Sequence, residues 1–339
     1  MISIGIAGYG YWGPNLARAV AGSGCAKVEM IADRMEPARH RAALHHPSAR
    51  LTADIMEMIA DPAVDAVMIA TPVSTHFDLA MAALKAGKHV LVEKPMADTP
   101  EKAKMLVDEA ARRKLILMVD HTFVYTGAVQ KIASLVESGE LGSLYYYDST
   151  RVNLGIFQRD VDVIWDLAVH DFAILDRLMP SQPVAVSASA ASCIAGSPAN
   201  MAHLSVYYDD GAMAYLNVNW LSPVKIRQTV IGGSKQMVVY DDMQTSEKVK
   251  IYDSGATAGT GGYESMVSYR TGDMRAPALS TKEALLTEVQ EFVRCIDTGA
   301  VPLTDGVSGL RVVDILAAAT LSTKRRGFPV DLVQKKVAS

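Results

Sequence analysis

The chain is poor in cysteine, has no block of one charge and has no long apolar run. Its three cysteines, Cys25, Cys193 and Cys295, are far apart and make no CxxC pair. That excludes a disulfide framework and a cysteine zinc site, and it fits a reducing cytoplasmic compartment. Lys and Arg number 33 against 37 Asp and Glu, a net charge of -4 with no basic cluster, so nucleic acid is not an expected partner. No uninterrupted apolar stretch reaches the roughly 18 residues that a spanning helix needs, which speaks against a membrane. The amino terminus lacks a basic n-region, so no secretory leader is expected. HExxH is absent, and His40, His45, His46, His89, His121 and His203 show no ligand spacing, so no metal is expected.

What is present is a packed, soluble composition: 339 residues, 50% hydrophobic and 21% charged. Single cores stop growing at roughly 250 to 300 residues, so two domains are expected. Apolar strand-like runs at 2–7, 27–33, 64–72, 88–95 and 115–120 alternate with helical patterns. Such alternation predicts an α/β domain with a doubly wound parallel sheet over residues 1–120. From 121 to 339 the rhythm changes. Helices near 126–138 and 161–179 flank a strand-like run, then β-type runs follow one another, and helices return at 281–297 and 307–323. This predicts an α+β domain with a large, mostly antiparallel, open-faced sheet, one face against helices and the other left for something else. The helix near 307–323 is a candidate to pack back on the first domain. Covering the open face by a second copy predicts a homodimer or homotetramer.

"GYGYWG" places Gly8, Gly10 and Gly13 in G-x-G-x-x-G spacing between a strand and a helix. Asp33 closes the second strand, 20 residues past Gly13. In a dinucleotide site the first glycine makes the turn, the second admits the pyrophosphate and the third allows tight helix packing, while the acidic residue meets the ribose. Asp33 repels a 2′-phosphate and favours NAD; Arg34 beside it leaves NADP open. "ATPVSTHF" sets Thr71, Pro72 and His76 after a parallel strand, where ligands bind in such sheets. On the residues alone, a helix cap with a surface histidine explains that stretch better.

"VLVEKP" ends another strand with Glu93 and Lys94, and Pro95 biases Lys94 toward an extended backbone. A lysine there suits a substrate hydroxyl or a proton transfer. Within "VIWDLAVHDFAILDRLM", Asp166 and His170 share a helix face at i and i+4 while Asp171 points about 100° away. A carboxylate beside an imidazole suits acid–base work. Three ionisable groups in an apolar helix need a reason, since burying charge is costly. "GATAGTGG" (255–262) reads as a mobile loop or lid.

Together "GYGYWG", "ATPVSTH", "VLVEKP" and "WDLAVHD" resemble the Gfo/Idh/MocA family of NAD(P)-dependent sugar and polyol oxidoreductases. The resemblance extends over "HTFVY" (121–125), "STRVNLGIF" (149–157) and the terminal "RRGFPVDL". "YWGPN", "TRVNLG" and "VIWDLAVHD" are most similar to its branch of nucleotide-sugar dehydrogenases that oxidise a sugar 3-hydroxyl, UDP-N-acetylglucosamine 3-dehydrogenases among them. The resemblance implies a Rossmann domain whose cofactor residues include Tyr11 and Trp12 with those above. It also implies a substrate hydroxyl between Lys94 and His170, one of which accepts the proton, with Asp166 tuning the pair. Arg151, Asn153 and Trp165 are implied substrate contacts, and Tyr125 and His121 are implied to line the cleft. The implied activity is hydride transfer between NAD and a secondary alcohol of a sugar or nucleotide sugar. Alternatives are an inositol or polyol dehydrogenase, an NAD-dependent glycoside hydrolase that oxidises transiently, and a non-catalytic NAD-binding regulator.

Overall fold

The computed structural model describes residues 1–155, 161–258 and 267–332. Two compact units divide the chain, Met1–Thr126 with Lys282–Asp314, and Gly127–Thr281 with the chain from Ile315 onward. The first is therefore assembled from two separate stretches of sequence.

The first unit holds six strands: β1 (Ile2–Ala7), β2 (Ala26–Ala32), β3 (Arg50–Thr52), β4 (Ala66–Ile69), β5 (His89–Glu93) and β6 (Leu117–Asp120). They form one parallel sheet in the order β3-β2-β1-β4-β5-β6, the doubly wound order whose switch point lies between β1 and β4. Helices α1 (Gly13–Gly22), α2 (Glu36–His45), α3 (Ile55–Ala60), α4 (His76–Lys85) and α5 (Pro100–Arg113) connect them. The inner strands are apolar throughout because helices cover both faces; Ile4, Ile6, Val67, Met68, Leu91 and Val92 are fully buried. Sequence pattern missed β3 and α3, which at three and six residues are too short to display a period.

The second unit begins with α6 (Gly127–Glu137) and β7 (Leu144–Leu154), and its next helix is not uniform: a π-helical turn at Ile164–Ala168 precedes α7 (Val169–Leu178). Then come β8 (Pro183–Ala191), β9 (Met201–Tyr208), β10 (Met213–Asn219), β11 (Leu221–Gly233), β12 (Met237–Asp241), β13 (Val249–Ala258) and β14 (Val267–Arg275). Helix α8 (Ala284–Thr298) lies in the stretch that belongs to the first unit, α9 (Gly306–Lys324) begins in that stretch and runs past Ile315, and the short β15 (Val330–Asp331) completes the order. The sheet runs β14-β13-β12-β11-β7-β10-β9-β8-β15, antiparallel except for the β7–β10 pair. Alternation decides its two faces. Ala202, Leu204 and Val206 of β9 and Ala214, Leu216 and Val218 of β10 are buried, whereas His203 and Tyr215 face outward.

Two expectations need correction. Residues 255–258 of the glycine-rich "GATAGTGG" are not a loop but the end of β13, paired with 267–270 of β14. Glycine content misleads there because an antiparallel ladder needs only backbone groups; residues 259–262 of that stretch lie outside the described residues, as do 156–157 of "STRVNLGIF". Also, α9 is long and apolar enough to span a membrane, although 61% of its most apolar window is buried inside the protein, as in a core helix.

The covered face of the second sheet encloses a charge. Asp171, fully buried on α7, accepts hydrogen bonds from Tyr147 Oη at 3.0 Å, Ser149 Oγ at 2.8 Å and Arg151 Nε at 2.7 Å. All three donors come from alternate positions of β7, so the strand's period of two aims them at one carboxylate. Removing one member of such a pair leaves the other charge buried and uncompensated. Asp171→Ala is expected to lower unfolding free energy by about 3–5 kcal/mol, measured by urea denaturation against the wild type.

Candidate active site

The turn after β1 is built by glycine where side chains cannot fit. Gly8 has φ +90°, and a Cβ on it would lie 2.6 Å from the Ala70 carbonyl oxygen at the β4 end. A Cβ on Gly13 would strike the Gly8 carbonyl oxygen, so the helix start can sit this close only as glycine. Gly10 differs, because a Cβ there would meet nothing within 4 Å. Packing does not require that glycine. It leaves a gap beside the α1 amino terminus, whose N–H groups and dipole favour an anion, so the turn fits a pyrophosphate cradle.

The acidic residue at the β2 end is held rigidly. Asp33 Oδ2 accepts from Tyr9 N at 2.6 Å and Oδ1 from Met35 N at 2.8 Å, which orients the carboxylate between the turn and α2. Arg34 is exposed beside it, and Arg39 Nη1 donates to the carbonyls of Asp33 and Arg34. Tyr11 is exposed and stacks on Trp12, whose Nε1 donates to Asp120 Oδ2 at 2.7 Å.

At the β4 end, Thr71 Oγ1 and Thr75 Oγ1 are 2.7 Å apart, and Pro72 opens a 3₁₀ turn. His76 is buried rather than on the surface, with Nδ1 2.9 Å from the Pro95 carbonyl oxygen and Nε2 2.8 Å from that of Thr71. Burial holds the imidazole below its ordinary pKa, so the neutral ring donates to one of these carbonyls. It joins the β4 end to the segment after β5. There Glu93 Oε2 accepts from Lys94 N at 3.1 Å, and the Lys94–Pro95 bond is cis. Lys94 is half-buried. Tyr125 is buried with its hydroxyl 3.2 Å from Thr304 Oγ1, and His121 is buried close by in sequence.

In the second unit the π turn carries Trp165 and Asp166, and α7 carries His170. Asp162 Oδ1 starts the turn by accepting from Ile164 N and Trp165 N. Single π turns inside α-helices often mark functional positions because they alter which side chains share a face. Trp165 Nε1 donates to Thr320 Oγ1 at 2.8 Å, and Asp166 Oδ2 accepts from Trp220 Nε1 at 3.1 Å. His170 and Asn153 are partly exposed. Arg151 is committed to Asp171, as described above.

Sequence reasoning passed over Asp120, Thr122 and Glu288. A signal for Glu288 exists: it falls within the buried series Leu285, Glu288, Val289, Phe292 and Val293 of α8, a charged residue in an apolar stripe. Asp120 is the β6 counterpart of Glu93 in the parallel register.

A doubly wound sheet carrying this turn, with a lysine at the end of β5 on the same rim, is the arrangement of a dinucleotide-binding domain. Residues 2–121 match the model of an oxidoreductase family with an NAD-binding Rossmann fold, and residues 129–239 match the GFO/IDH/MocA C-terminal domain. The chain belongs to the Gfo/Idh/MocA family of oxidoreductases, and as such is a dehydrogenase that uses NAD. It is 30% identical over 259 residues to UDP-N-acetylglucosamine 3-dehydrogenase of Acidithiobacillus ferrooxidans, covering 76% of this chain and 77% of that protein. The solved structure of that enzyme superposes with a TM-score of 0.80 at 25% identity, over 96% of this chain and 98% of the other. Similarity to scyllo-inositol 2-dehydrogenase (NAD(+)) of Bacillus subtilis is 24% identity over 350 residues, 99% of this chain and 96% of that protein. Among the described residues no cluster of metal-ligating side chains is present.

The two glycine environments separate folding from binding. Gly10→Ala is expected to leave the thermal midpoint near the wild-type value while weakening NADH binding about tenfold or more. Gly13→Ala is expected to cost about 1–3 kcal/mol of stability through overpacking; calorimetry and NADH fluorescence titration read the two effects.

Proposed function

We propose that the chain oxidises a secondary hydroxyl of a sugar, or reduces the matching ketone, with a nucleotide sugar as substrate and the sugar 3-hydroxyl as the reacting group. The observation that carries this reading is the similarity to the UDP-N-acetylglucosamine 3-dehydrogenase over three-quarters of the chain. The open cradle at Gly10 and the lysine at the β5 end support it. Bound NAD would supply the acceptor for the hydride leaving the carbinol carbon. Lys94 and His170 are the candidate groups for the hydroxyl proton as the C=O bond forms, with Asp166 anchored by Trp220 to orient the second of them.

Gly8, Gly10, Gly13 and Asp33 would hold the dinucleotide, with Tyr11, Trp12, Arg34, Thr71, Pro72, His76 and Glu93 around it. His76, with both ring nitrogens at main-chain carbonyls, would serve by fixing Thr71 and Pro95. Asn153 and Trp165 are the candidate substrate contacts, joined by Tyr125; Arg151 would act through the shape of β7. A second reading, an inositol or polyol as substrate, draws on the inositol dehydrogenase match along 99% of the chain. The exposed face of the second sheet, with Tyr207, Met213 and Tyr215, would pair copies into a homodimer or homotetramer. Three free thiols suit a cytoplasmic enzyme.

NADH formation across a panel of UDP-sugars, free sugars and inositols decides the substrate, and turnover with inositols alone would replace the nucleotide-sugar reading by the polyol one. Lys94→Ala and His170→Ala are each expected to lower kcat by roughly 10²–10⁴-fold with NADH affinity retained; undiminished turnover would remove their assigned roles. Tyr215→Asp should shift sedimentation toward smaller species, and an unchanged profile would count against assembly through that face.

A further inference from the structure

Beside the glycine turn lie three carboxyl groups, two of them given no part above. Glu93 and Asp120 end adjacent parallel strands in register, which sets them side by side across one strand spacing of roughly 4.8 Å. Glu288 approaches from α8, which packs on the 3₁₀ turn Thr122–Tyr125 directly after β6. Glu288 is fully buried and Asp120 is 2% exposed. Asp120 accepts from Trp12 Nε1 at 2.7 Å and from Thr122 Oγ1 at 2.5 Å.

Glu93 Oε1 and both carboxyl oxygens of Glu288 are buried with no donor satisfying them. Both glutamates lie near enough to Asp120 to feel its carboxyl group most strongly among their charged neighbours. Thr122 also lies near Glu288, but its one proton is directed to Asp120 Oδ1. Carboxyl oxygens facing one another bond only when a proton lies between them, and two such groups in contact do not both ionise. Burial first, and the Asp120 charge second, push Glu93 and Glu288 well above the usual carboxylate range.

We propose that Glu288 and Glu93 are positioning residues for the cofactor site: as carboxylic acids both donate to Asp120, and this proton-sharing cluster braces the Trp12 indole of the glycine turn and the Lys94 N–H together. The proposal rests on the turn being the NAD site. The cluster acts through Trp12 and through the Glu93–Lys94 contact. Facing it are Lys94 from the β5 end, which favours ionised Glu93, and Tyr125 from the 3₁₀ turn, whose ionisation burial and Glu288 push upward.

The sign follows from the raised folded-state pKa values. Their contribution is complete below the ordinary carboxylate pKa and is lost as pH rises through the folded values, because each lost proton removes a donor and sets a second negative charge against Asp120. Cofactor affinity should therefore fall toward alkaline pH.

The test is NADH fluorescence titration of the full chain between about pH 6 and about pH 9, with circular dichroism at each pH to monitor folding. The wild type is expected to bind about tenfold more weakly at the alkaline end of this range, the direction set by the raised carboxyl groups. Glu288→Gln offers Asp120 an amide donor with no proton to lose, and its curve should be clearly shallower than the wild type, because only Glu93 still loses a proton. Glu288→Ala should bind weakly throughout, and if it does not fold the Gln variant carries the test. A Glu288→Gln curve that tracks the wild-type slope would overturn the proposal, as would tight, pH-independent binding by Glu288→Ala. A wild type that binds no NADH at any pH would remove the cofactor reading of the turn and this inference with it, which the first two outcomes do not.

Discussion

Six parallel strands in one sheet must finish on the same edge, and the chemistry of the first unit follows from that constraint. Gly8 after β1, Asp33 after β2, Thr71 after β4, Lys94 after β5 and Asp120 at the β6 terminus are far apart in sequence but share one rim. A crevice at the β1–β4 switch point is the geometric consequence. The glycine turn occupies it, and only side chains absent from Gly8 and Gly13 let β1, the turn and α1 approach so closely.

The same rim concentrates charge of one sign. Glu93 and Asp120 are neighbours in register, and α8 adds Glu288 from the returning stretch of chain. Three ionised carboxylates in a buried space would repel one another severely, so the site holds together by keeping protons and by giving Asp120 the Trp12 and Thr122 donors. The second unit solves a related problem differently. Its buried Asp171 is neutralised by a cation, with Arg151 and two hydroxyls supplied by a single strand. One cluster therefore depends on proton occupancy and the other does not, since an arginine stays charged at any working pH.

Much of the architecture was legible in local pattern. Continuous apolar runs identified the buried parallel strands, and period-two alternation in "YLNVNW" at β10 pointed to a sheet with one covered face. The strand–glycine turn–helix unit was legible because glycine spacing, the flanking strand and helix, and Asp33 agree within a single βαβ stretch. Other features escaped for identifiable reasons. β3 and α3 are shorter than a period, the π turn at Ile164–Ala168 leaves no mark on residue type, and β14 pairs with a glycine-rich segment that resembles a loop.

Residue type and spacing by themselves determined the fold class, the cofactor turn and the strand-end lysine, because each depends on contacts within a few tens of residues. They also showed Asp166, His170 and Asp171 as costly charges in an apolar helix. Only the tertiary structure decided how those charges are met: Asp171 by Arg151 of β7, Asp166 by the indole of Trp220. It alone showed His76 enclosed between two carbonyls and Glu288 brought to Asp120 from a helix more than 160 residues later in the chain. A partner's identity is set by which surfaces pack together, and packing between distant segments has no period that a local stretch of sequence can carry.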